Sequence, residues 1–206
     1  SVKVLRYFTL SPSVSYNERW YPETIRKTYS DSLNTVVTDT VKGIRAARDF
    51  MVSTSLNTRL YGMIQLHRGK IAAIRHVMSP SVNFSYRPDF SRRGFGSYQS
   101  YTDASGQAVH YSIFQNGIFG GPPSGKYGVI GLGLDNNLEM KLRQHTDTAE
   151  VLKKIKIFEI LSFNINYNTA ADSLKWSNLG ISGRTTLFDK VSLNMSGSFD
   201  PYTFDT

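Results

Sequence analysis

Residues 8–16 read Phe8, Thr9, Leu10, Ser11, Pro12, Ser13, Val14, Ser15, Tyr16. The even positions are apolar. The odd positions are Thr or Ser, and the odd series continues through Asn17 and Arg19. Side chains alternate between the two faces of a strand, so this stretch folds as a strand with one greasy and one wet face. Strands in soluble domains usually run to about 5–6 residues. Alternating strands of roughly 9–11 residues with aromatic ends are what a membrane-crossing β-barrel requires.

Working outward, the same alternation recurs in segments near 7–21, 48–66, 74–87, 127–143, 157–169, 176–187 and 191–199. The segment at 48–66 sets Phe50, Val52, Leu56, Leu60 and Ile64 against Ser53, Ser55, Asn57 and Arg59. That at 157–169 sets Leu161, Phe163, Ile165 and Tyr167 against Ser162, Asn164, Asn166 and Asn168. The polar faces are rich in Ser, Asn and Gly and poor in the Lys and Glu that coat a soluble sandwich. The expected fold is therefore all-β: an antiparallel up-and-down meander of about seven strands, a segment of a large transmembrane β-barrel occupying residues 1–206. Prolines inside two strands, Pro12 and Pro80, predict local kinks or weakened pairing, since proline has no ladder donor.

The connections at 22–47 and 88–126 read as long polar loops, and those at 67–73 and 188–190 as tight turns. A longer turn is expected at 144–156 and a short one at 170–175. Long loops on one side and short turns on the other are the habit of outer-membrane barrels. Trp20, Tyr21, Tyr86, Tyr167 and Trp176 fall near strand ends, where amphipathic rings sit well at headgroup level. Sheet packing is the other reading of these rings. Arg19, Arg59, Arg87, Lys141, Arg143 and Arg184 project from polar faces. In a barrel they would line the lumen, either meeting anionic groups or pairing with acids such as Asp135 and Glu139 to hold the wall.

The formal net charge is +8. Anionic lipid or a phosphate-bearing glycolipid fits that balance; no nucleic-acid partner is expected. The chain has no cysteine, which removes disulfides and thiol nucleophiles. It has no apolar run of about 18 residues, hence no transmembrane helix, and no signal peptide. It starts at Ser1, which reads as a piece of a longer protein. The 120–126 stretch, Gly-Gly-Pro-Pro-Ser-Gly-Lys, matches the glycine and lysine positions of a phosphate-binding loop. Tyr127 follows where Ser or Thr should hold magnesium, and a strand follows where a helix should. A Gly/Pro-rich loop end is the better reading. His67, His76, His110 and His145 lack the spacing of a helical zinc site, and no nucleophile elbow occurs. Asp135 and Glu139 stand about 13 Å apart along a strand, too far for a retaining glycosidase pair. No enzyme, metal or cofactor is expected.

The stretch 74–90, Ile74-Arg75-His76-Val77-Met78-Ser79-Pro80-Ser81-Val82-Asn83-Phe84-Ser85-Tyr86-Arg87-Pro88-Asp89-Phe90, resembles the R-H-x-x-x-P-S strand of LptD, the OstA-like lipopolysaccharide-assembly family. The version it most resembles is that of Bacteroidetes-type bacteria. Residues 8–21, 116–121, 136–141 and 182–188 are similar to the family as well. The resemblance implies an integral protein of the Gram-negative cell outer membrane, with a barrel of about two dozen strands. It implies a plug lipoprotein (LptE-like), a periplasmic bridge protein and lipopolysaccharide as partners, and transport of that glycolipid to the outer leaflet without catalysis. Seven strands cannot close such a barrel, and no gate residue carries over. Two other readings stand beside this one: another outer-membrane porin or importer, and a soluble carbohydrate-binding β-sandwich with Trp20 and Trp176 as stacking platforms.

Overall fold

The computed structural model describes residues 1–4, 6–146, 149–187 and 190–203. Eleven strands run in chain order: β1 (Val2–Val4), β2 (Phe8–Ser30), β3 (Thr35–Asn57), β4 (Leu60–Gln65), β5 (Ile71–Arg87), β6 (Tyr98–Thr102), β7 (Ala108–Ser112), β8 (Tyr127–Thr146), β9 (Ala149–Asn168), β10 (Leu179–Leu187) and β11 (Val191–Phe199). The main sheet has the order β1-β2-β3-β5-β8-β9-β10-β11, with β4 also on β5; β6 and β7 form a separate hairpin. Neighbours in the sheet follow one another along the chain, so it is an antiparallel meander. Its path runs from β1 to β11 without closing. The seven long positions of this path are those the alternation marks.

Two expected connections are strand instead. The 22–47 segment is occupied by the end of β2 and the start of β3, joined by a turn at 31–34 with Asn34 at φ 49°. Its charges (Glu23, Arg26, Lys27, Asp39, Lys42, Arg45) disguise it as a loop. The counter-signal is its density of β-branched residues, including Thr24, Ile25, Thr35, Val36, Val37, Thr38, Thr40 and Val41. The 144–156 segment is likewise a continuation of β8 and β9, which stay paired out to Thr146↔Ala149. Lys153, Lys154 and Lys156 look like loop residues, and the acid that pairs with Lys154, Glu139, lies across the ladder on β8. The tight turn expected at 188–190 includes Phe188 and Asp189, which lie outside the described residues.

The 48–66 strand is interrupted at Thr58 and Arg59. The β4–β5 register pairs Leu60 with Met78, and extended by two residues it sets Thr58 opposite Pro80. The Thr58 N–H does donate to the Pro80 carbonyl, at 3.2 Å. The return bond cannot form because proline has no N–H, and the ladder breaks there. Pro12 and Pro22 sit in the part of β2 beyond Leu10, where β1 no longer pairs with it.

The chain divides into two compact units. The first comprises residues 1–12, 54–84 and 129–206; the second, 13–53 and 85–128. Buried apolar side chains differ sharply between them. Ile25, Ala47, Phe90, Tyr111, Ile113 and Phe114 are buried, and all belong to the second unit. In the first unit the only buried side chains larger than glycine, among the described residues, are Glu139 and Thr185.

The second unit explains its core. The 88–126 connection is long, as expected, but it is folded. Its β6–β7 hairpin turns at 103–107, where the Asp103 carboxylate accepts from the Ser105 and Gln107 N–H groups at 2.8 and 2.9 Å. Ile113 accepts a backbone bond from Ile25 at 2.9 Å, covering an edge of β2 that would otherwise be open. The Asp89 carboxylate joins the two ends of the loop. It accepts from the Ser91 hydroxyl (2.6 Å), the Ser91 N–H (2.9 Å) and the Gly125 N–H (2.9 Å). These bonds, the Ser91 hydroxyl foremost, hold its pKa below the ordinary carboxylate value.

Gly117 packs flat on the Tyr21 ring, and a Cβ there would collide with it. Gly117→Val is therefore expected to destabilise the docked loop by about 1–3 kcal/mol, the usual range for overpacking. Faster proteolysis within 88–126, with strand content unchanged by circular dichroism, is the readout. Unchanged proteolysis would mean that the loop does not depend on this contact.

Candidate functional site

The polar face of the sheet is bonded to itself through its own side chains. In the first unit it is a lattice of small amides and hydroxyls. Asp135 accepts from the Ser162 hydroxyl at 2.6 Å. Gly131, Gly133 and Gly180 leave room for Asn166, Ser81 and Asn164, each of which lies within 3 Å of where a Cβ would stand. Larger residues at these glycines would push the amides off the face.

Two charge clusters follow on the same face. Glu139 pairs with Lys154 at 2.9 Å and with Arg75 at 3.8 Å. Glu159 pairs with Lys156 at 2.9 Å and with Arg184 at 3.2 Å. Between them the β8–β9 register shifts twice, between Asn136 and Leu138 and again between Leu138 and Glu139. A single one-residue shift would turn the apolar set to the wrong face. Two in succession restore the alternation, so Glu139 faces Lys156, and Met140 faces Ile155. Asn136 and Asn137 donate to the Leu161 and Glu159 carbonyls, at 3.2 and 2.9 Å, supplying bonds along the irregular stretch. Asn136 also meets His76 Nε2 at 3.1 Å. That pair has the parity of the apolar face, and the bulge accounts for it.

The second unit has its own polar contacts. Asp49 receives Arg19 at 2.7 Å and Asn17 at 3.0 Å. Arg19 also donates to the Phe119 carbonyl at 3.2 Å. On the opposite parity of β2, Tyr16 donates to Glu18 at 2.5 Å, and Glu18 pairs with Arg48 at 3.3 Å. The apolar run that begins at Phe8 thus ends at Tyr16, with Trp20 beyond it, 67% exposed.

The remaining predicted residues fall as follows. Arg87 donates to the Gly125 carbonyl at 3.3 Å and lies over the Tyr127 ring, 5.7 Å from its centroid. Arg143 reaches the carbonyls of Leu66, Gly69 and Ile71, tying down the β4–β5 turn. Lys141 stands opposite Lys154. Arg59 lines a cleft. Tyr21 stacks on Phe114 at 5.3 Å and donates to the Gly120 carbonyl at 2.8 Å, so it serves the loop's core. Tyr86 is half-buried. Tyr167 and Trp176 meet edge to face at 4.9 Å. The acids Asp49 and Glu159 escaped sequence reading; their signal was the shortage of carboxylates near so many cations. No cluster of three or more metal-ligating side chains exists among the described residues.

A meander of long strands, with a bonded polar face and an apolar face left uncovered in the first unit, is the kind of sheet from which large β-barrel walls are built. The chain belongs to the LptD protein family, whose sequence model matches residues 1–202. That family comprises non-enzymatic transport barrels. No curated protein and no solved structure matches the chain.

Proposed function

We propose that this chain is a wall segment of an outer-membrane barrel that delivers lipopolysaccharide to the outer leaflet. One observation carries the membrane part of this reading. The first unit buries no apolar side chain among its described residues, yet it buries Glu139 and Thr185. A water-soluble sandwich does the reverse, because covering its apolar face is what stabilises it. Lipid can cover such a face, and the ladder satisfies the backbone groups that lipid cannot. The apolar run from Phe8 to Tyr16 suits a crossing of roughly 9–11 residues. β2 and β3, at 23 residues each, are about twice as long as one crossing needs.

Family membership supports lipopolysaccharide as the cargo. The motif around His76 and Pro80 supports the Bacteroidetes-type branch, and an LptE-like plug and a periplasmic bridge protein come as partners by the same likeness. A polar, hydrogen-bonded lumen would pass the saccharide. The family's barrels are non-enzymatic, so the driving energy would be supplied by partners. The test is to deplete the full-length protein in its own cells and follow newly made lipopolysaccharide. Loss from the surface, with accumulation beneath the outer membrane, is expected. Unchanged surface glycolipid would refute the cargo and leave a barrel of another use, such as a porin.

A further inference from the structure

We infer that the first unit holds a binding site for a doubly charged anionic group of phosphate chemistry, in the cleft beside the strand break at Thr58–Arg59. The cleft has a volume of about 600 Å³. Lys3, Arg6 and Arg59 line it, with Asp135 as the single acid, and hydroxyls of Thr9, Thr58, Ser79 and Ser81 fill in the wall.

Four acids of the sheet are committed elsewhere. Glu18, Asp49, Glu139 and Glu159 are each taken by a neighbouring cation. The side chains of Lys3, Arg6 and Arg59 make no hydrogen bond or ion pair among the described residues. Asp135 is engaged by Ser162. Three cations against one carboxylate leave two positive charges uncompensated, which a phosphate monoester or a diphosphate would balance.

The backbone is shaped around this cleft. Pro80 denies the Thr58 carbonyl its return bond, and beside the break the Thr58 hydroxyl donates to the Tyr7 carbonyl at 2.8 Å. That bond ties the strand break to the turn that carries Arg6. Arg6 itself sits at φ 64°, a left-handed conformation that a non-glycine residue adopts at a cost. Strain of this kind gathers where a side chain must be aimed, and breaks in a ladder serve to re-aim side chains. Arginine forks and hydroxyls together make the donor set that phosphate oxygens accept from.

The inference is independent of the cargo named above. The test takes the full-length protein in dodecyl maltoside and titrates it calorimetrically with inorganic pyrophosphate. A second arm uses mixed micelles doped with phosphatidic acid, against phosphatidylcholine. Binding of pyrophosphate identifies a site for free phosphates; binding of phosphatidic acid alone identifies a headgroup site. Either supports the inference, provided that Arg59→Gln and the Lys3→Gln/Arg6→Gln pair each weaken it about tenfold. The Arg59 side chain makes no bond among the described residues, so its variant is expected to fold, as unchanged heat-modifiability on gels will check. Lys42→Gln, an exposed cation of the second unit, is the control. No binding in either arm, or equal weakening by Lys42→Gln, would overturn the site.

Discussion

Replacing Leu132 by arginine is expected to lower the stability of the bilayer-folded protein by about 2–4 kcal/mol, the cost of a cation on the lipid face near mid-membrane. Leu132 is 40% exposed. It stands opposite Ile165, between the pairs Ile130↔Tyr167 and Leu134↔Phe163. All six side chains share one face and have no second layer over them. Ser196→Arg is the companion variant. Ser196 is exposed, on the polar face, opposite Ser182, and arginine there should change stability by less than about 0.5 kcal/mol. Exposure alone does not separate the two positions; only lipid against one face does. Urea titration of both variants in phosphatidylcholine vesicles measures the difference. A gap below about 1 kcal/mol would place water against Leu132 and remove the physical basis of the barrel reading.

The alternation was enough to locate the seven long strands, because period two is written directly in residues such as Leu161, Phe163, Ile165 and Tyr167. It failed where a strand is polar on both faces. The end of β2 and the start of β3 carry no apolar stripe, and only their β-branched residues betray them. It failed again in the Lys-rich start of β9, where the order comes from Glu139, far away in sequence. Register is a property of pairs, so the doubled shift beside Leu138 could not be read from either strand alone. The fold of the 88–126 loop was hidden for the same reason: Phe114 and Ile113 find their partners in Tyr21 and Ile25, across a long stretch of chain. The polar-face cations were legible as residues but not as contacts. Arg19, Arg184 and Arg143 are bonded to the wall, whereas Arg59 is not.

Glu139→Gln is expected to cost about 2 kcal/mol, and the reason lies in its position as well as its charge. Glu139 is 8% exposed, and its carboxylate holds Lys154 and Arg75. Removing one partner of a fully buried pair costs about 3–5 kcal/mol. Here both cations are half-exposed, at 52% and 53% for their side chains, and keep part of their hydration, so the smaller figure applies. Lys154→Met made in the same background isolates the pairwise term. If the ion pair holds the strands, the double variant should lose about 1 kcal/mol less than the sum of the two single losses. Additive losses would assign the Glu139 effect to side-chain packing. Glu139 also closes the second of the two register shifts. If that closure fails, β9 beyond Lys156 is left one residue out of step, with Ile155 turned to the wet face and Lys154 to the greasy one. Labelling of a cysteine placed at Ile155 with a water-soluble maleimide would report the slip: slow in the parent, fast in Glu139→Gln. An unchanged labelling rate would mean that the charge cluster stabilises the wall without setting its register.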